Sequence, residues 1–200
     1  MGSDNAAAKL ELHRRLKEQA RRKRYNLIKD VFPETGDYRR ELYPKHMEFF
    51  RASSQHREVL FLAANRVGKT VAGGVHLAYH MTGDYPEWWE GRRFDHPVQC
   101  LAAGDTSTTT RDIIQNKLLG GLLGTPEFGS GLLPGDKLGK PTPARGVANL
   151  YEGITVEHIS GGTSRLMLRS YEQAGKSSKA QSKTLCGWTK KCPKTCTTRL

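Results

Sequence analysis

The stretch Leu60 to Thr70, LFLAANRVGKT, limits what this chain can fold into more than any other: an apolar run passes through a tight turn into Gly-Lys-Thr and a helical repeat. A strand entering such a turn exposes successive backbone N–H groups. The N-terminus of the next helix adds partial positive charge, so the layout is that of a phosphate cradle. Its candidate residues are Ala63, Ala64, Asn65, Arg66, Val67, Gly68, Lys69 and Thr70. Gly68 lets the backbone approach a ligand without a Cβ, Lys69 reaches the β and γ oxygens of a nucleotide such as ATP, and Thr70 offers its hydroxyl to Mg²⁺. The strict motif has Gly where Ala63 stands, so this is a variant P-loop whose first turn is made without positive φ. The flanks supply the context the motif requires. Glu58 to Ala64 is apolar and β-compatible, and Val71, Ala72, Val75, Leu77, Ala78 and Met81 recur near a helical period over Lys69 to Met81. The competing reading is a chance Gly-Lys-Thr at an ordinary strand-to-helix turn.

Around the loop the pattern predicts helices alternating with strands. Ala6 to about Asp30 reads as one basic helix with a partial apolar stripe of leucines, its arginines and lysines forming either a solvated face or a DNA-phosphate contact. A short helix starts at Tyr43, where Tyr43, Phe49 and Phe50 are core anchors or an aromatic face for adenine. Val98 to Ala103 is a second buried strand. Thr108 to Leu119 is a helix capped by Ser107 or Thr108, and the Gly- and Pro-rich segment Gly120 to Gly146 is a long surface loop. Ile154 to His158 and Arg165 to Arg169 alternate as a strand pair about the turn Ser160 to Thr163. The expected fold is α/β, with a mostly parallel sheet, helical crossovers and the P-loop at a strand's C-terminal end.

Two hundred residues suit one domain with a sizeable core. No apolar run approaches the ~20 residues that span a bilayer, and the N-terminus has neither a secretory h-region nor a convincing myristoylation start, since Ala6 stands where Ser or Thr is wanted. The net charge of +12 suggests a polyanionic partner, but seven of those positive charges lie in residues 174–200, which hold no Asp or Glu, leaving +5 for the rest. Cys186, Cys192 and Cys196 lie in that tail too. They lack a CxxC pair and a nearby His, so free thiols in a reducing cytosol are expected rather than a zinc site.

From about Tyr38 to Gln173 the chain resembles the large subunit of a tailed-bacteriophage terminase, the ATP-driven motor that packages DNA. The resemblance rests on YPKHMEFF ahead of FLAANRVGKT, then TGDYPEWWEGRRF, AAGDTSTTTRDIIQNKLLG and LMLRSYEQ. It implies an ASCE-type P-loop NTPase domain, incomplete here, with ATP and Mg²⁺ as cofactors. Lys69 and Thr70 take the phosphate and metal roles, and Arg66 either stabilises transition-state charge as a catalytic residue or forms a surface salt bridge. The resemblance also implies double-stranded DNA, the phage portal and procapsid, and the small terminase subunit as partners, no membrane, and the host cytoplasm as location. The corresponding division is a basic N-terminal helix and linker over 1–37, a partial ATPase domain over 38–173, and a basic, disordered tail over 174–200.

In that family an apolar strand ending in Asp-Glu should follow YEQ, whereas this tail has no carboxylate. Joining the third base of each codon to the first two of the next gives a forced Asp from Trp188 and Thr189. Gly187 with Trp188, and Leu185 with Cys186, permit only Met, Leu or Val. The shifted frame can spell D-V-V-W-M-D-E-E-V-P, so a frameshift near Gln173 to Lys176 is the expected origin of the tail. Gly175-Lys176-Ser177 is a decoy, with no helical apolar period behind it. The expectation is a chain that binds ATP·Mg²⁺ weakly, hydrolyses it little or not at all, and lacks the family's nuclease domain. The rival expectations are a basic DNA-binding accessory protein and a helicase-like or kinase-like enzyme.

Overall fold

The computed structural model describes the backbone of residues 2–171, 185–189 and 198–199, and side chains over 9–20 and 24–171. The chain starts with helix α1 (Gly2–Arg24), on which Leu10, Leu12 and Leu16 are exposed. It ends earlier than the expected Asp30, and Leu27–Asp30 forms a separate 3₁₀ turn. That break brings Ile28 and Phe32 into the same buried cluster as Phe50 of α2 (Pro44–Gln55). Pro44 suits the first helical turn, because its missing N–H is one the turn leaves unpaired anyway.

Strand β1 (Glu58–Val59) then leads through the loop to α3 (Lys69–Thr82), as the apolar period predicts. Every residue from Ala72 to Thr82 is buried. The small side chains explain how neighbours come so close: a Cβ on Gly74 would lie 2.5 Å from Leu132 Cδ1. Beyond α3 come β2 (Gln99–Gly104), α4 (Ser107–Thr109), a π turn over Thr110–Gln115 and α5 (Asn116–Leu119). The cap of this helical run is Thr106 rather than Ser107 or Thr108. Its backbone is extended, and its Oγ1 accepts from Thr109 N at 3.1 Å.

Short strand β3 (Thr142–Pro143), the pair β4 (Tyr151–Glu157) and β5 (Thr163–Ser170), then β6 (Leu185–Thr189) and β7 (Thr198–Arg199) complete the elements. The main sheet runs β3-β4-β5-β2-β6. Thus the fold is α/β, but the sheet is mixed, not mostly parallel: β2 is parallel to β5 and β6, while β3–β4 and β4–β5 are antiparallel. The connection between β4 and β5 is a tight turn, in which His158 N bonds Gly162 O at 2.8 Å, too short for a helical crossover.

Two further expectations are corrected. The strand expected over Glu58 to Ala64 stops at Val59 and pairs antiparallel with β7 outside the main sheet, leaving Leu60 58% and Leu62 80% exposed. Apolar, β-compatible residues supply propensity, but a strand persists only where neighbours take up its N–H and C=O groups. The segment Gly120 to Gly146 is not all surface loop, since Leu132 and Leu133 are fully buried. Their N–H groups bond Lys117 O at 3.1 Å and Leu118 O at 2.9 Å, satisfying carbonyls at the end of α5. Two stretches of the tail read as disordered, 185–189 and 198–199, run as strands; the rest of that tail, with the decoy Gly175-Lys176-Ser177, Cys192 and Cys196, lies outside the described residues.

His76 and His80 pack inside an aromatic shell, 4.2 Å apart between ring centres, with Trp89 against both and Phe94 against His80. Phe94 N–H donates to Tyr85 Oη at 3.0 Å, and the same hydroxyl shares a hydrogen bond with His80 Nδ1 at 2.9 Å. Burial holds the His80 pKa well below the usual histidine value. Among the described residues no helix is long and apolar enough to cross a membrane, and no cluster of three or more His, Cys, Asp or Glu is placed to hold a metal.

Candidate functional site

Gly68 is the residue on which the loop turns. It sits at φ +84°, in the left-handed region that side chains avoid, and is the N-cap of α3 with no side chain to cap the helix. The first N–H groups of α3, from Lys69 and Thr70, therefore have no acceptor within the helix and no capping oxygen. Such an end accepts an anion well, so the residues present fit a phosphate. Arg66 also has positive φ, at +65°. The first turn at Ala63 needs none, as the missing glycine implied.

Ala63, Ala64, Asn65, Arg66 and Val67 are exposed, while Gly68, Lys69 and Thr70 are half-buried. Lys69 Nζ donates back to the carbonyls of Ala63 and Ala64, the latter at 2.8 Å. The lysine thus closes the loop on itself across six residues of chain. Arg66 forms no ion pair among the described residues, so the surface salt bridge weighed for it is not made there. For Mg²⁺ the loop offers the Thr70 hydroxyl on the first turn of α3; among the described residues no group of three or more His, Cys, Asp or Glu stands ready to hold a metal.

A groove of about 630 Å³ opens beside the loop, between α2 and the unpaired segment, lined among others by Phe49, Phe61, Ala63 and Val67. Phe49 stacks on Phe61 with ring centres 5.0 Å apart and planes 17° from parallel. Of the three aromatics weighed from sequence, Phe50 is a core anchor at 1% exposure, whereas Phe49 belongs to this groove. At the rim, Lys45 Nζ bonds Glu48 Oε2 at 2.7 Å and holds that carboxyl below its usual pKa.

One residue of the site had no role assigned from the sequence. His46 is 6% exposed, its ring held edge-on by Tyr43 at 5.3 Å and Phe61 at 5.3 Å. Its Nε2 has no hydrogen-bond partner and would lie 3.2 Å from a Cβ on Gly68. Burial lowers its pKa, and the peptide groups of Val67 and Gly68 act in the opposite sense. In the sequence His46 lies within YPKHMEFF, three and four residues before Phe49 and Phe50, on one helical face.

No family model and no solved structure matches this chain. Among curated proteins, the terminase large subunit of Salmonella phage P22 is 28% identical over 148 residues, which cover 66% of this chain and 30% of that relative. The chain therefore spans about a third of that relative's length. Over 66% of its own length the chain is thus similar to a phage terminase large subunit, the protein its motifs resemble.

Proposed function

We propose that this chain carries the nucleotide-binding part of a motor ATPase that drives viral DNA into a procapsid in the host cytoplasm. The observation that supports this most is the left-handed turn at Gly68, which opens an uncapped helix with Lys69 and Thr70 in its first turn, in a relative of a terminase large subunit. The loop 63–70 takes the phosphates of ATP, Lys69 pairs with the β and γ oxygens, and Thr70 contributes one ligand to Mg²⁺. Arg66, exposed and unpaired among the described residues, is available to stabilise charge on the transferring phosphoryl group. The groove beside Phe49 and Phe61 offers the nucleobase a flat aromatic wall. Double-stranded DNA, the portal and procapsid, and a small terminase subunit are the proposed partners.

Hydrolysis also requires carboxylates to hold the metal and activate water, and residues 174–200 contain none. Strand β6 runs parallel to β2 on the same letters from which the shifted frame spells an apolar strand ending in Asp. That position supports reading the tail as out of frame. The proposed state is nucleotide binding with little or no turnover. Titration of a fluorescent ATP analogue with Mg²⁺ tests it: saturable binding lost in Lys69→Ala supports the reading, and binding indifferent to that change removes it. Steady-state hydrolysis that depends on Lys69 removes the claim of an incomplete site.

A second reading is favoured by α1, whose described basic side chains and leucines face solvent rather than the core. It makes the chain a DNA-binding accessory, with affinity that falls steeply with salt and survives Lys69→Ala.

A further inference from the structure

We propose that His46 is a positioning residue for the phosphate loop, its Nε2–H donating to the outward carbonyl of Val67 or Gly68 so that the next peptide's N–H faces the anion. This inference rests on the nucleotide-binding reading above.

The C=O and N–H of a peptide group point in opposite directions, so fixing a carbonyl on one side of a turn fixes the following N–H on the other. A phosphate needs the N–H groups of Gly68 and Lys69 turned towards it. Something must then hold the carbonyls of Val67 and Gly68 away from it. The Gly68 carbonyl already accepts from Ala72 N at 2.9 Å and keeps a second lone pair. The Val67 carbonyl belongs to the exposed part of the loop.

His46 is the polar group built against this turn. It is 94% buried, walled by Phe32, Tyr43 and Phe61, and carried on α2 rather than on the loop. Its Nε2 lacks a hydrogen bond and lies where a Gly68 Cβ would approach to 3.2 Å. In the Nε2–H tautomer this nitrogen is a buried donor, costly to leave unpaired, and the proposed loop geometry gives it an acceptor. Binding of an anion and pairing of His46 then favour the same loop geometry. With a side chain at position 68, neither the left-handed turn nor this approach is comfortable, which explains glycine there on two counts.

The test uses the 200-residue chain, a fluorescent ATP analogue with Mg²⁺, and the variants His46→Phe and His46→Gln. Phe keeps an apolar ring among aromatic neighbours but has no donor; Gln places an amide N–H near the Nε2 position. Expected is a Kd raised at least ~10-fold in His46→Phe and within ~3-fold of the parent in His46→Gln, the size of one hydrogen bond. Thermal melts report whether each variant folds. Parent-like binding by His46→Phe overturns the inference and leaves the nucleotide reading standing. Equal weakening in both variants overturns the donor role in favour of packing. No binding by the parent chain removes the reading and the inference together. If His46→Phe fails to fold, ring-nitrogen NMR of the unsubstituted chain decides: the His46 Nε2–H proton should move downfield on adding Mg²⁺ and ADP, and an unchanged resonance overturns the proposal.

Discussion

At its start α3 is capped by Gly68 at φ +84°, at its end by Gly83 at φ +69°, and behind each glycine lies a histidine Nε2 with no hydrogen-bond partner. At the end, a Cβ on Gly83 would fall 2.4 Å from His158 Nε2, inside any possible contact. That joint is also tied by backbone: Gly83 N bonds Tyr79 O and Ile159 N bonds Thr82 O, each at 2.8 Å, while Ser160 fixes His158 Nδ1. At the start, the corresponding approach to His46 is 3.2 Å, the flanking residues 63–67 are exposed, and Lys69 ties the loop only to itself. One local device thus serves two purposes. Where backbone bonds and a hairpin close around it, it locks a helix end; where they do not, it leaves a loop able to rearrange.

Changes at the two ends should separate in size. Gly83→Ala meets both the left-handed backbone and the His158 ring, and we expect a loss of ~3 kcal/mol in urea unfolding; a loss under ~1 kcal/mol would show that this end gives as freely as the other. Lys69→Ala acts at the less tied end. It should weaken binding of the ATP analogue ~100-fold through loss of a charged contact, with the melting temperature nearly unchanged, so a large drop in stability would make the loop a structural joint after all. Gly68→Ala should cost only ~1–2 kcal/mol, mostly backbone strain, because the His46 contact needs to give by only a few tenths of an ångström.

Acid probes the buried middle of α3 between those ends. His80 is neutral when buried, so the unfolded chain takes up its proton first. Stability is complete above the unfolded pKa of ~6.5 and falls below it at ~1.4 kcal/mol per pH unit for this group. His46 and His158, also lowered, act in the same direction. Urea unfolding followed from pH 7 to pH 5 should lose part of this slope in His80→Phe, and an unchanged slope would assign it elsewhere. The smallest effect is expected for Arg66→Gly: relief of a side chain at φ +65° should raise stability by up to ~1 kcal/mol, measurable by the same unfolding.

What the sequence disclosed follows from how local each feature is. The helical period of Val71 to Met81 and the Gly-Lys-Thr opening act over a few residues, and α3 begins at Lys69 as that pattern predicts. The β4–β5 pair was similarly legible in its alternation and turn. The P-loop strand was not, because its apolar letters state a preference, whereas its pairing depends on distant chain. The mixed sheet escaped for the same reason. His46 was missed because a single histidine in a helix has no pattern; its meaning comes from three aromatic rings and a glycine brought to it by tertiary packing.

The hold of Lys69 on the Ala63 and Ala64 carbonyls also sets an entry threshold. An anion that draws the ammonium away from both oxygens gives up those two bonds, at a cost of order 1–3 kcal/mol. An orthophosphate, with few further contacts, recovers little of that, whereas a polyphosphate can exchange each carbonyl for a more strongly charged oxygen. On the nucleotide-binding proposal, the resting lysine would then act as a charge filter that favours polyphosphates over single phosphates.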